Sequence, residues 1–251
     1  RSRLFPYTTR FRSLLAAPAI RLVSFSSDGH PDADWRASDV VTGRSGSRFV
    51  AHGPGIDGAG LEVTLRLVGR FNVANALAAL AMLACQGLDP ARAAEGLATL
   101  PGVPGRLEAV DAGQPFSVFV DYAHTPQAVV TSLETVRETT SGRLIVVLGC
   151  GGDRDAAKRP LMGEAAARLA DAVAFTSDNP RSEDPAKILE AVVAGAWQVP
   201  ADERGEVHVE IDRTGAIAWA LRAAAPGDVV VVAGKGHEQG QEIGGVVHPF
   251  D

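Results

Sequence analysis

Ten residues, TSDNPRSEDP (176–185), set Asp178, Asn179, Pro180 and Arg181 between the apolar run DAVAF and the run AKILEAVVAGAW. An arginine beside an acid and an amide at such a joint suits a ligand that carries both charges, because a guanidinium meets a carboxylate through two parallel hydrogen bonds. Three further stretches have the same character. VDYAHTP (120–126) carries Asp121 and His124, GCGGDRDAAKRP (149–160) carries Arg154, Asp155 and Lys158, and AGKGHEQ (233–239) carries Gly234 and Glu238. A lone Asp–Arg pair is ordinarily solvated surface, and a lone histidine ordinarily structural. Four polar loops, each ending an apolar run, point instead to one site. GCGG is not a dinucleotide fingerprint, since G-x-G-x-x-G would need glycine where Arg154 stands. A glycine-rich turn beside Arg154 and Lys158 suits phosphate or carboxylate better.

The elements that must position these loops alternate regularly after the Pro/Gly linker PGVPGR (101–106). Strands are expected at PFSVFVDYAH, RLIVVLGCGG, AVAFTSDNP, EVHVEI and DVVVVAGKG. Helices are expected between them, at QAVVTSLETVRETT, PLMGEAAARLA, DPAKILEAVVAGAW and RTGAIAWALRAA. In the second of these helices Leu161, Ala165 and Leu169 would form the core face, and in the third Asp184 would cap with Pro185 behind it. Continuous apolar strands alternating with helices predict a doubly wound, mainly parallel α/β sheet, which binds ligands at the carboxyl ends of its strands.

Before the linker the pattern is mixed. AIRLVSFS and LEVTLRLV read as strands, with Gly-rich hairpins and loops between them. FNVANALAALAMLACQG is a helix with a Val73, Leu77, Leu80, Ala84 stripe, stopped by Gly87, and a second helix starts at Asp89–Pro90. The first 13 residues stand apart. They hold four arginines and no acid, and removing those charges from a net charge of −6 leaves −10 on the rest. A transit peptide or basic arm is one reading; translated adapter sequence outside the native fold is the favoured one.

Composition is that of an ordinary soluble chain, 46% hydrophobic and 22% charged. The negative balance argues against a dedicated nucleic-acid binder. Cys85 and Cys150 have no metal-ligand spacing and form no disulfide framework, which fits a reducing cytoplasm.

GRFNVANALAALAM, GRLEAV, VDYAHTP, GCGGDRDAAKRPLMG, DNPRSEDP and AGKGHE occur in the order and rough spacing of the Mur ligases. The resemblance runs from about Ile20 to Asp251 and is strongest to the members that add meso-diaminopimelate, for which DNPR is the amino-acid recognition motif. It implies a cytoplasmic, ATP- and Mg²⁺-dependent ligase of peptidoglycan synthesis. Such an enzyme activates the carboxylate of a UDP-N-acetylmuramoyl dipeptide as an acyl phosphate, which the amine of the incoming amino acid attacks. Residues 14–104 would then be the tail of an α/β central ATPase domain, and 105–251 most of a Rossmann-like C-terminal domain. The resemblance implies that Asn75, Arg106 and Asp121 contact the nucleotide, with His124 and Lys158 near phosphate. It gives meso-diaminopimelate to Arg154, Asp178, Asn179, Pro180, Arg181, Gly234 and Glu238. In that role Arg181 pairs with the distal carboxylate, and Asp178 and Glu238 accept from the distal ammonium. Pro180 keeps Asn179 extended and the helix after Asp184 adds its positive end.

The sequence also departs from the family. It holds no G-x-x-x-x-G-K-[S/T]; its Gly234-Lys235 pair is followed by Gly236. The family's carbamylated lysine, which lies upstream of this region, is also missing. The expectation is therefore a fragment without ligase activity of its own. The competing readings are a non-catalytic binding module on the same fold and a ligase adding lysine or glutamate, and DNPR speaks against the latter.

Overall fold

The computed structural model describes residues 3–6 and 22–250. The chain divides into two compact units, Arg1–Gly102 and Val103–Asp251, with the break inside the Pro/Gly linker.

The first unit is built on a five-stranded sheet in chain order: β1 (Arg3–Pro6), β2 (Leu22–Ser26), β3 (Trp35–Gly43), β4 (Gly46–His52) and β5 (Leu61–Leu65). β1, β2 and β3 are parallel, and β3, β4 and β5 are antiparallel. Helices α1 (Arg70–Cys85) and α2 (Pro90–Thr99) follow. Val73, Leu77 and Leu80 of α1 are fully buried with Trp35, Phe49 and Val63 of the sheet, as their 3.6-residue spacing requires. The Asp89 carboxylate caps α2 by accepting from the Ala91 amide. The segment expected to stand outside the fold differs from that reading at Arg3–Pro6, which extends the sheet by pairing with Leu22–Phe25; residues 7–13 lie outside the described residues.

The second unit is the doubly wound sheet. Its strands are β6 (Glu108–Ala109), β7 (Ser117–Asp121), β8 (Leu144–Cys150), β9 (Ala172–Ser177), β10 (Glu206–Val209) and β11 (Val229–Ala233), in the order β10-β9-β8-β11-β7-β6. All pairings are parallel except that of β6 with β7. Helices α3 (Pro126–Arg137), α4 (Lys158–Leu169) and α5 (Pro185–Ala196) carry the chain outward to β10, and α6 (Arg213–Ala223) brings it back to β11. Right-handed crossovers put those two directions of travel on opposite faces. α6 packs Ala216 and Ala220 on Ile145, Val147, Ala172, Ala174 and Val230. Every residue of β8 and β9 is buried, as expected of strands covered on both sides. A short antiparallel hairpin, β12 (Gly240–Ile243) and β13 (Val246–Pro249), ends the unit.

The core face of α4 is not the one expected. Leu161 is 54% exposed, Ala165 and Leu169 are half-buried, and Met162, Gly163, Ala166 and Ala167 face inward. Small size decides this, not hydrophobicity. A Cβ on Gly163 would overlap the Val192 carbonyl oxygen of α5, and one on Gly195 would overlap that of Pro160. The two helices therefore meet backbone to backbone, and a leucine cannot enter the seam. Among the described residues no helix is long and apolar enough to cross a membrane.

Candidate functional site

Parallel pairing brings the carboxyl ends of β7, β8, β9 and β11 to one rim. A polar cleft of about 320 Å³ opens there, lined by Arg154, Asp178, Asn179, Arg181, Gly234 and Glu238 together with His124 and Lys158. Eight expected site residues thus share one cavity. Pro180 sits between two of its lining residues. Arg106 and Asp121 lie beyond Tyr122 and do not line the cleft, and Asn75 lies on α1 in the first unit.

Beneath the cleft is a network of buried charges. Asp178 is 7% exposed, and its carboxylate lies 4.0 Å from Arg213 Nη1 and 3.8 Å from Lys235 Nζ. Lys235 donates to Asn179 Oδ1 at 2.9 Å and Glu238 Oε2 at 3.3 Å, and Asn179 Nδ2 donates to the same Glu238 oxygen at 2.8 Å. Arg213 donates through Nη2 to the Ala233 carbonyl at 2.9 Å. Burial pushes the Arg213 guanidinium below its ordinary pKa, while Asp178 and Glu238 oppose that shift. Asp178 and Glu238, the acceptors expected for a ligand ammonium, thus each also face a cation of their own chain. A carboxylate removed from water requires such a partner. Lys235 and Arg213 were missed by sequence reasoning. GKG offered a signal, a lysine directly after the apolar run VVVVA; Arg213 at the start of a helix offered none.

Arg181 has a left-handed backbone, φ 54°. Its Nη1 donates to the Gly152 carbonyl at 2.7 Å, and the Gly152 amide donates to the Asn179 carbonyl at 2.8 Å. A Cβ at Gly152 would overlap the Pro180 carbonyl oxygen. Glycine in GCGG thus permits two loops to touch, and the Gly152 N–H that could have met an anion is engaged within the chain. A latch beside it fixes the same two loops. Glu183 accepts from Arg159 at 2.9 and 2.7 Å and from the Asp153 amide at 2.6 Å, while Asp153 accepts from the Ser182 hydroxyl at 2.7 Å. The Arg159 guanidinium holds the Glu183 carboxyl below its usual range, and Ser182 does the same for Asp153. Asp184 caps α5 by accepting from the Ala186 amide, which leaves Arg181 to other work.

The residues expected at a nucleotide form a second cluster. The Arg106 guanidinium lies 4.8 Å from the centre of the Tyr122 ring, and His124 meets that ring edge-on at 4.5 Å. Lys158 Nζ donates to the His124 carbonyl at 2.9 Å. Asp121 turns both carboxylate oxygens to backbone amides, those of Leu107 at 2.8 Å and Ala123 at 2.7 Å. Burial raises its pKa against those two bonds. Asp121 therefore braces the segment that carries Arg106 and the left-handed Leu107. Among the described residues no group of three or more His, Cys, Asp or Glu is placed to hold a metal ion.

Cys150 lines the cleft yet is only 3% exposed, and burial pushes its thiol up to about 12. A thiol with so little thiolate is inert. Iodoacetamide at pH 8 is expected to alkylate the exposed Cys85 alone in the folded chain and both cysteines after unfolding. Mass spectrometry reads the sites; an adduct on Cys150 in the folded chain would show that the cleft floor opens.

Comparisons with known proteins agree with this architecture. The family described as the Mur ligase glutamate ligase domain matches residues 105–236, and the Mur ligase middle domain matches residues 5–83. The UDP-N-acetylmuramoyl-L-alanyl-D-glutamate–2,6-diaminopimelate ligase of Streptomyces avermitilis is 57% identical over 96% of this chain and 47% of its own length. The ligase of the same name from Syntrophomonas wolfei is 45% identical over 87% of this chain and 44% of its own. A solved structure of a ligase of that name superposes with a TM-score of 0.67 at 36% identity, over 100% of this chain and 51% of that one. The folylpolyglutamate synthase of Mycobacterium tuberculosis, at 24% identity and a TM-score of 0.64 over 86% of this chain and 47% of its own, shares the fold. The chain spans about half the length of the curated relatives it matches. With a fold of this topology, a cleft built from these loops and a domain match across most of the second unit, the chain belongs to the Mur ligase family.

Proposed function

We propose that the chain carries the amino-acid-binding part of a cytoplasmic, ATP-dependent carbon–nitrogen ligase of peptidoglycan synthesis. That enzyme joins meso-diaminopimelate to UDP-N-acetylmuramoyl-L-alanyl-D-glutamate. The observation that carries this reading is the cleft, where Arg154 and Arg181 stand on the same cavity as Asp178, Asn179 and Glu238. Meso-diaminopimelate ends in a carbon bearing both an ammonium and a carboxylate. Arginines supply the planar fork for the carboxylate. Glu238, half-buried and facing the cleft, supplies the acceptor for the ammonium, and Asp178 adds negative potential from beneath. Holding the far end of the amino acid in this way places its other amine for attack, an entropic contribution to rate that needs no further chemistry from these residues.

The Lys158 and Arg154 charges at the cleft edge suit a polyanion. His124, Lys158 and Arg154 line one cavity, and Arg106 with Tyr122 offers a flat cationic face beside it. ATP, accompanied by Mg²⁺, would supply the phosphoryl group that activates the dipeptide carboxyl. Mg²⁺ commonly rests on phosphate oxygens and water with only one or two carboxylates.

Calorimetric titration of the 251-residue chain tests the reading. Meso-diaminopimelate is expected to bind and L-lysine to bind more weakly; equal affinity, or none for meso-diaminopimelate, would sink it. The chain alone is expected to form no amide bond, because it holds no triphosphate-cradling glycine-rich loop. ADP release dependent on both the UDP-dipeptide and meso-diaminopimelate would overturn that expectation.

A further inference from the structure

The β12–β13 hairpin crosses the DNPR loop and engages it repeatedly. The Arg181 amide donates to the Glu242 carbonyl at 3.0 Å, and the Gly244 amide donates to the Arg181 carbonyl at 2.7 Å. Both backbone polar groups of Arg181 are thus held by the hairpin, in a bridge to Ile243. The Glu242 amide donates to Asn179 Oδ1 at 2.9 Å, and Gln241 Nε2 donates to the Asp178 carbonyl at 2.7 Å. The Glu242 carboxylate lies 3.3 Å from Arg181 Nε.

We propose that Gln241 and Glu242 are positioning residues that determine amino-acid specificity by holding Arg181 in the orientation that presents its guanidinium to the cleft. This rests on the reading of Arg181 as partner of the ligand carboxylate. A left-handed backbone is uncommon for a residue with a long side chain and persists where the surroundings impose it. Here the hairpin imposes it. Its turn is Gly244-Gly245, both at positive φ (57° and 80°), which keeps the two strands in a fixed register. The side chain is fixed as well, at Nε by Glu242 and at Nη1 by the Gly152 carbonyl. Nη1 also donates to the Asn179 carbonyl at 3.5 Å, which leaves Nη2 as the end of the fork that can turn outward to a carboxylate. Arg181 lines the cleft and Glu242 does not, so Glu242 holds the arginine from behind and does not compete for its ligand face.

The test uses the 251-residue chain with Glu242→Ala, Glu242→Gln, Gln241→Ala and Arg181→Ala, each checked for folding by circular dichroism. Affinities for meso-diaminopimelate and L-lysine are measured by calorimetry. Glu242→Ala is expected to weaken meso-diaminopimelate about tenfold, the scale of one hydrogen bond to a charged group, and Gln241→Ala, which removes a neutral bond to the Asp178 carbonyl, about fivefold, each leaving lysine within about twofold. Glu242→Gln, which keeps an acceptor at Nε, is expected to retain most of the affinity. A merely structural hairpin would weaken both ligands alike, and that result overturns the proposal. So does tighter binding by Glu242→Ala, which would make Glu242 a competitor. If Arg181→Ala weakens meso-diaminopimelate and the hairpin variants do not, the inference alone fails. If Arg181→Ala leaves that affinity unchanged, the functional reading fails and the inference with it.

Discussion

Arg181→Ala is expected to weaken meso-diaminopimelate roughly 10- to 100-fold and to leave L-lysine nearly untouched. The scale follows from about 1.5–3 kcal/mol for hydrogen bonds to a charged group, with 1.4 kcal/mol per factor of ten. From sequence the discrimination against lysine is expected to be larger. A site built to pair a polar group rejects the analogue lacking it by as much as about 10⁴-fold when its own group is left unmatched. The structure lowers that figure. With lysine bound, the Arg181 guanidinium still has the Gly152 carbonyl at 2.7 Å and Glu242 at 3.3 Å. It is 21% exposed, so water reaches it too. The penalty for the missing carboxylate is then one lost charged contact, not an orphaned buried cation. Arg181→Lys is not expected to rescue binding. An ammonium cannot hold the Gly152 carbonyl and Glu242 while offering a two-pronged face. Calorimetry on the chain measures the affinities, and kcat/KM for both amino acids in the complete enzyme measures the selectivity. An unchanged ratio in Arg181→Ala would remove Arg181 from the specificity site.

The rim was legible because period and punctuation agree there. Apolar runs ended by DYAHTP, GCGGDR, SDNPR and GKGHE could only be parallel strands delivering their ends to one side, and the strands and helices lie where the pattern puts them. The direction in which side chains point was not legible. Asp121 reads as a loop carboxylate, and nothing in its surroundings in sequence shows that two backbone amides donate to it. Asp178 reads the same way and sits over two buried cations. Apart from the Ala123 amide, which belongs to a local turn, these partners lie 14 to 57 residues away in sequence, and no local spacing marks them. The α4 face differs from its apolar stripe for another reason: glycine packing is invisible to such a stripe. The hairpin at GQEIGGVVHP did carry a signal, alternation about a Gly-Gly turn, and it is the element that holds Arg181.

Arg213 gives the largest expected effect on stability. It is 1% exposed, donates to the Ser177 and Ala233 carbonyls, and lies 4.0 Å from the Asp178 carboxylate. Arg213→Met keeps much of the volume and removes the charge. Asp178 would then share Lys235 with Glu238, two carboxylates on one buried ammonium. Breaking a buried ion pair by removing one partner costs about 3–5 kcal/mol, because the charge left behind stays desolvated. At about 2–4 °C per kcal/mol for a chain of this size, the thermal midpoint is expected to fall by roughly 6–20 °C. The cause can be separated from simple loss of packing. Adding Asp178→Asn removes the uncompensated charge and leaves Lys235 paired with Glu238, so the double variant should recover at least half of the lost stability, although the bonds to Ser177 and Ala233 stay broken. Lost backbone hydrogen bonds alone would leave the double variant no better than the single one. Thermal unfolding of the two variants, followed by far-ultraviolet circular dichroism, decides between them. A midpoint within about 2 °C of the parent for Arg213→Met would show that the buried charges beneath the cleft are not coupled as their distances imply.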